Sequence, residues 1–420
     1  MRRSLAATLT PLLGLALACG VDEPTGPAEA PTTGRQLDRP SVDVIASIAV
    51  VDQLGNVGSY TSLASGSDGR QHVTYKDLTN QDLKYATCAR SCTLSGSWTS
   101  VRVDQAGAVG SQSSLKVGAN GRRHITYRDL SNKDLKYATC APTANCTVAN
   151  SWQKVRIDTL EDAGSGSAIA LGPGGVRNVS YFRRRPGSSG DIFGVRYAAC
   201  SSNCGQTASW TKATLEEFSN APLWGDGLVT SMVIGSDGRR HISYVNPLTL
   251  DLKYATCLSG CTNAANWQKL TVDQLYMVGL HNSIAVGQDG VLHVSYQDYS
   301  NRDLKYARCA FDCTVAANWK NITVAKSSDV GSYTSIAVEA NGRVHISATQ
   351  ATNSALYYAT CNADCIGEGP WDRGEVDGAF SDVGWHTSLT AVGGSVRISY
   401  YDRGNGDLKF MTRTPLINPF

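Results

Sequence analysis

Five of the seven histidines, His72, His124, His241, His293 and His345, stand at one recurring register, and imidazoles in such number are the first residues to test for chemistry. Ligating an ion needs several of them on one centre. Residues repeated on the second strand of successive units point into separate layers instead, so each is expected to pack or hydrogen-bond within its own unit, with no metal and no other cofactor. The Asp-x-x-Asn-x-Asp loops, as in Asp129, Asn132 and Asp134 or Asp298, Asn301 and Asp303, offer oxygens that could suit calcium. They lack the glycine-centred loop and bidentate glutamate of a calcium site, and read as caps on their own hairpins.

Function on a repeated scaffold is sought where one copy departs from the others. In the third unit a hairpin gains residues to become Phe182-Arg183-Arg184-Arg185-Pro186-Gly187, and the link into the fourth unit reads Glu216-Glu217-Phe218-Ser219-Asn220-Ala221-Pro222-Leu223-Trp224. Three arginines, two glutamates and the aromatics Phe218 and Trp224 are expected to converge near one junction. A second departure is a variable position held in turn by Tyr60, Gln112, Gly166, Val229, His281, Tyr333 and His386, with Trp385 beside the last. Aromatic rings and imidazoles at a channel mouth suit stacking against a sugar or a peptide side chain.

These residues sit on a repeat. Asp-Leu-Lys-Tyr-Ala-Thr-Cys recurs at Asp82 to Cys88, Asp134 to Cys140 and Asp251 to Cys257, with variants ending at Cys200, Cys309 and Cys361 and a seventh copy, Asp407-Leu408-Lys409-Phe410, without the cysteine. The matching glycines, Gly58, Gly110, Gly164, Gly227, Gly279, Gly331 and Gly384, lie 52 to 63 residues apart. A unit of this length cannot close a core alone. The first copy shows four strand-like stretches, Tyr60 to Ser65, Arg70 to Tyr75, Asp82 to Thr87 and Trp98 to Asp104, here termed A to D. Ser67-Asp68-Gly69 makes a tight A–B turn. Seven units of four short strands predict an all-β, seven-bladed β-propeller of antiparallel blades. The seventh unit lacks strand D. Ser47 to Gln53 repeats the pattern of Val101 to Gln105, so an N-terminal strand is expected to complete the last blade and close the ring. In such a blade the B–C turn and the D-to-A link share one rim, opposite the cysteine loops.

With 420 residues, 42% hydrophobic and 18% charged, the chain can bury an ample core, and a net charge of +2 gives no field that would favour nucleic acid. Met1-Arg2-Arg3 followed by the apolar run Leu5 to Leu17 reads as a signal peptide (1–18). Leu15-Ala16-Leu17-Ala18-Cys19 resembles the lipobox of bacterial lipoproteins, which implies a lipidated Cys19, attachment to the membrane by lipid only, and, with Gly20 next, sorting to the outer membrane. Residues 19–40, rich in Pro, Thr, Gly and Ala, read as a disordered tether, and 41–420 as the ring. The other twelve cysteines form local pairs: Cys88 with Cys92, Cys140 with Cys146, Cys200 with Cys204, Cys257 with Cys261, Cys309 with Cys313 and Cys361 with Cys365. In an exported chain these read as one disulfide per blade, each stabilising by about 2 kcal/mol on the chain-entropy model.

The Ser67-Asp68-Gly69, Ser236-Asp237-Gly238 and Gln288-Asp289-Gly290 turns sit where secreted sialidase-like propellers with BNR repeats carry their Asp-box, and the chain resembles that group. The group's catalytic set, three arginines from different blades with a tyrosine and a glutamate, has no counterpart here, since Arg183, Arg184 and Arg185 come from one loop. The expectation is a monomeric, non-enzymatic surface or envelope module that binds glycan or protein by one rim. The alternative is a glycan-active hydrolase or lyase, for which Glu216 or Glu217 opposite Asp226 would supply the carboxylates.

Overall fold

In a computed structural model, the described residues are 44–222, 225–326, 328–362, 364–378 and 381–415. The signal peptide, Cys19, the tether and Trp224 lie outside them. Seven four-stranded antiparallel sheets form, and neighbouring sheets contact one another through their A strands all the way round, the first against the seventh included. The ring is thus a seven-bladed β-propeller. The first blade consists of Val57–Ser65, Gln71–Asp77, Asp82–Cys88 and Thr99–Asp104. Strand A begins three residues before the predicted start, because the chain becomes extended already at Val57, ahead of the alternating run.

Closure follows the predicted route. The N-terminal strand Val44–Asp52 pairs antiparallel with Asp407–Pro415, with Ala49 opposite Phe410 and Val50 opposite Lys409. Each glycine at the start of strand A earns its place by a close approach between blades. A Cβ on Gly58 would lie 2.8 Å from Leu408 Cα, and one on Gly279 would lie 2.7 Å from Leu252 N, both at positive φ. The fourth blade differs: Gly227 faces Leu280 and His281 instead of the blade before it, and strand A starts only at Thr230.

Polar groups cross the blade interfaces in a fixed pattern. The strand-B tyrosine donates to an acid at the end of the preceding D strand, as in Tyr127 to Asp104 at 2.7 Å and Tyr296 to Asp273 at 2.8 Å, and a strand-C lysine pairs with the same acid, as in Lys136–Asp104 and Lys305–Asp273, both at 2.5 Å. In the sixth blade all three members are exchanged together for Ala325, Ala348 and Tyr357, which pack in one apolar cluster. Replacing a whole buried polar set avoids stranding any one charge.

The recurring histidines are structural. His72, His124, His241, His293 and His345 each share a 2.6 Å hydrogen bond, through Nδ1, with the strand-C tyrosine of their own blade. Where the histidine is replaced by Asn178, the amide oxygen accepts from Tyr197; in the blade of Arg397, the place of the strand-C tyrosine is taken by Phe410, which has no hydroxyl to satisfy. The Asp-x-x-Asn loops are caps, Asp129 and Asp298 each accepting from the backbone and side-chain nitrogens of Asn132 and Asn301. All six cysteine pairs are disulfides, and the tryptophan that follows each donates Nε1–H to the carbonyl of the second cysteine, as Trp152 does to Cys146 at 3.0 Å. Six disulfides suit an exported protein. Among the described residues no helix is long and apolar enough to cross a membrane.

Candidate functional site: the channel mouth

A one-residue β-bulge is built into strand A of six blades. In the first blade Ser59 pairs with Lys76 and Ser62 with Thr74, so three steps on strand A answer two on strand B. The extra residue takes a left-handed conformation: Tyr60 at φ 53, Gln112 at 51, Gly166 at 57, His281 at 51, Tyr333 at 51 and His386 at 54. Non-glycine residues in that region are costly unless their surroundings hold them there. Here the residue after each bulge does so. Thr61, Ser113, Ser167, Thr230, Asn282, Thr334 and Thr387 donate in turn to the carbonyls of His386, Tyr60, Gln112, Gly166, Val229, His281 and Tyr333, a hydrogen-bonded hoop through all seven blades. Sequence reasoning missed this hoop, although an unbroken series of Ser, Thr and Asn after the variable position was its signal.

With the carbonyls committed to the hoop, the variable side chains line a cup at the mouth of the central channel. All seven take part, joined by Asp226, around a volume of about 200 Å³. The cup is lopsided. His281, Tyr333, His386 and Tyr60, from four consecutive blades, form an arc with ring centroids 4.3, 4.2 and 4.4 Å apart along it, the Tyr333 and His386 rings lying nearly parallel at 21°. Opposite stand Gln112, Gly166 and Val229, none of them aromatic.

The arc is electrically neutral at physiological pH. Burial lowers the His281 imidazole to about 4, and burial together with His281 and Arg403 lowers His386 to about 3. Burial, and then the Asp226 charge, raises Tyr333 to about 12 and Tyr60 further still. His386 Nδ1 accepts the Tyr60 backbone N–H at 2.7 Å, which puts the ring proton on Nε2. The Tyr60 hydroxyl donates to Asp226 at 2.6 Å, so the link between the third and fourth blades is tied across the mouth to the first. Trp385 stands at the edge of the arc, its Nε1–H given to Asp382 at 2.6 Å and its face covered by the Arg403 guanidinium at 3.9 Å.

The inserted rim differs from expectation. Arg183 and Arg185 both pair with Glu217 at 3.2 Å, Arg183 also meets Glu161 at 3.3 Å, and Arg184 meets Asp191 at 2.8 Å and Asp162 at 3.7 Å. These side chains brace the long hairpin Arg177–Pro186 and Asp191–Cys200 and the strand Thr211–Ala221 beside it. Phe218 is buried, not exposed, under the Lys253 side chain, whose Nζ lies 5.4 Å from its ring centroid. Glu216 fills the interface role that aspartate has elsewhere, accepting from Tyr244 at 2.6 Å and Lys253 at 2.5 Å. The unit's longer D strand concealed that register in the sequence. Asp226 is the single carboxylate among the described residues lining the cup, while Glu216 and Glu217 are held by cations elsewhere.

No protein-family model and no curated protein matches the chain. Solved structures with partial likeness include a polysaccharide lyase (10% identity, 87% of this chain and 91% of that one, TM-score 0.49). They also include an Aleuria aurantia lectin mutant bound to Fucα1-6GlcNAc (14%, 76% and 96%, TM-score 0.47) and a sialidase from Streptococcus pneumoniae (10%, 87% and 69%, TM-score 0.45). At these scores neither residue roles nor activities pass to this chain.

Proposed function

We infer that the chain is an exported, lipid-anchored binding module that takes a glycan at the channel mouth. The carrying observation is the convergence of the six bulge residues and Val229 on one cup in which neutral rings from four blades form one wall. Flat faces with an apolar body and a polar edge suit a sugar, which presents C–H groups on its faces and hydroxyls around its rim. A cup of about 200 Å³ is smaller than the roughly 300–1,000 Å³ of drug-sized pockets, and suits one terminal ring. Neutral imidazoles and a hydroxyl-bonded carboxylate add donors and acceptors without a strong field. Lipid on Cys19 would hold the ring at the envelope, where such ligands are met.

The test is a glycan array probed with residues 41–420, compared with Tyr333→Ala, His386→Ala and, on the inserted rim, Arg184→Ala. Loss of about tenfold or more in affinity is expected for the two cup variants and less than twofold for the rim variant. Binding carried by the rim variant's position alone, or capture of an envelope protein with no glycan bound, would refute the cup as a glycan site.

A further inference from the structure

The cup has a neighbour. A second depression of about 550 Å³ opens beside it, lined from the fourth, fifth and sixth blades, and His281 stands in the wall of both. They are divided by a backbone strut, Gly225-Asp226-Gly227, in which Asp226 borders the cup and the two glycines border the second depression. A Cβ on Gly227 would come 3.1 Å from Leu280 and 3.3 Å from His281 Nε2, so glycine lets the strut lie low against the imidazole. A Cβ on Gly225 would have nothing within 4 Å. The strut therefore raises no side chain at Gly225 or Gly227 against a ligand passing from one depression to the other.

The second depression has its own recognition chemistry. Tyr299, 50% exposed, stands on a fixed backbone: its N–H donates to the Met277 carbonyl at 2.9 Å, and the Met277 N–H donates to the Ser300 hydroxyl at 3.1 Å. Gln297 lines the inner part, and Arg302, with its guanidinium 3.8 Å from Asp329, the outer part. Next along the chain from Met277, Tyr276 is 71% exposed at φ 70, where the first two units have Gly55 and Gly107 at φ 88 and 89. A bulky residue in that conformation is uncommon, and here it accompanies the rim where the aromatic surface is exposed.

We propose that this groove is a second carbohydrate subsite, and that the ligand is a linear oligosaccharide whose terminal ring fills the cup while its following units cross the strut at Gly225 and lie along Tyr299 toward Arg302. The proposal rests on the glycan reading of the cup. An exposed tyrosine face offers stacking, and the Gln, Arg and Asp groups offer forked donors and acceptors for neighbouring hydroxyls. The two depressions share His281 and adjoin at the strut, which fits consecutive units of one chain.

The experiment takes the best-binding backbone from the array and titrates its mono-, di-, tri- and tetrasaccharides into residues 41–420 by calorimetry. Affinity is expected to rise about fivefold or more from the monosaccharide to the trisaccharide, as one added stacking contact would give. Tyr299→Ala and Arg302→Ala should remove that rise and leave the monosaccharide affinity within about twofold. Gly225→Leu, whose Cβ would have nothing within 4 Å among the described residues, should do the same by obstruction. Affinity independent of chain length in the unaltered protein, or a rise that survives all three substitutions, overturns the second subsite while leaving the cup intact. No saccharide bound at any length defeats the glycan reading itself.

Discussion

The seven imidazoles make the chain sensitive to acid. Burial is the first cause of lowering for every one of them: His72, His124 and His386 to about 3, and His241, His281, His293 and His345 to about 4. Unfolding returns each to about 6.5. Between those values the unfolded chain binds protons that the fold does not, so stability is whole above about pH 6.5 and falls as pH drops toward 4, by up to about 1.4 kcal/mol per pH unit for each histidine. Asp82, Asp134, Asp303 and Asp407 are raised by burial and act with the opposite sign, but they are four groups against seven. The midpoint of thermal unfolding should therefore be several degrees lower at pH 5 than at pH 7.5, and His293→Asn, which copies the Asn178–Tyr197 pairing of the third blade, should make the dependence shallower. An unchanged midpoint would contradict the buried neutral state. At this scale the sequence was legible where a residue and its partner vary together, as Arg397 does with Phe410, and illegible where one residue type has two roles. His281 and His293 are twelve positions apart, yet one faces the cup and the other a tyrosine hydroxyl.

At the scale of the element, strand A does two jobs within a few residues. Its first glycine lets one blade touch the backbone of the last, and its bulge two residues on turns a side chain into the channel. Gly279→Ala would set a methyl 2.7 Å from Leu252 N at φ +109, and should destabilise the fold by about 2 kcal/mol or more in a denaturant titration. Gly290→Ala, at φ +80 but with nothing within 4 Å, should cost only the local strain of about 1–2 kcal/mol. Equal losses at the two positions would mean that the close approach between blades contributes nothing. The glycines and the variable position were both visible as periodic marks. The bulge was not, because one extra residue in a ladder leaves no trace in composition, and only pairing with strand B shows that the register slips.

The whole molecule depends on a join between its ends. The strand Val44–Asp52 covers Asp407–Pro415, and without it the last blade presents an open edge next to the first blade's A strand. Tyr75 and Lys84 of the first blade bond Asp52 on that same strand, so the join also completes a polar set within the ring. A chain beginning at Leu54 should lose cooperative unfolding and self-associate in sedimentation, and a peptide of residues 41–53 supplied in trans should restore the monomer. A truncated protein that melts as sharply as the longer one would show that closure is dispensable.

The repeat by itself determined the seven blades, the closing strand, the disulfide pairs and the rim on which the variable residues lie, because each follows from a pattern carried along the chain at fixed spacing. Which of those rim residues meet was decided only by the ring. Side chains about fifty residues apart, or 326 apart for Tyr60 and His386 across the join, become neighbours through curvature, so the arc from His281 to Tyr60 exists in no local stretch of sequence. The inserted arginines looked free in the sequence for the same reason: Glu161 and Glu217, which hold them, are brought in by strand pairing and not by proximity along the chain.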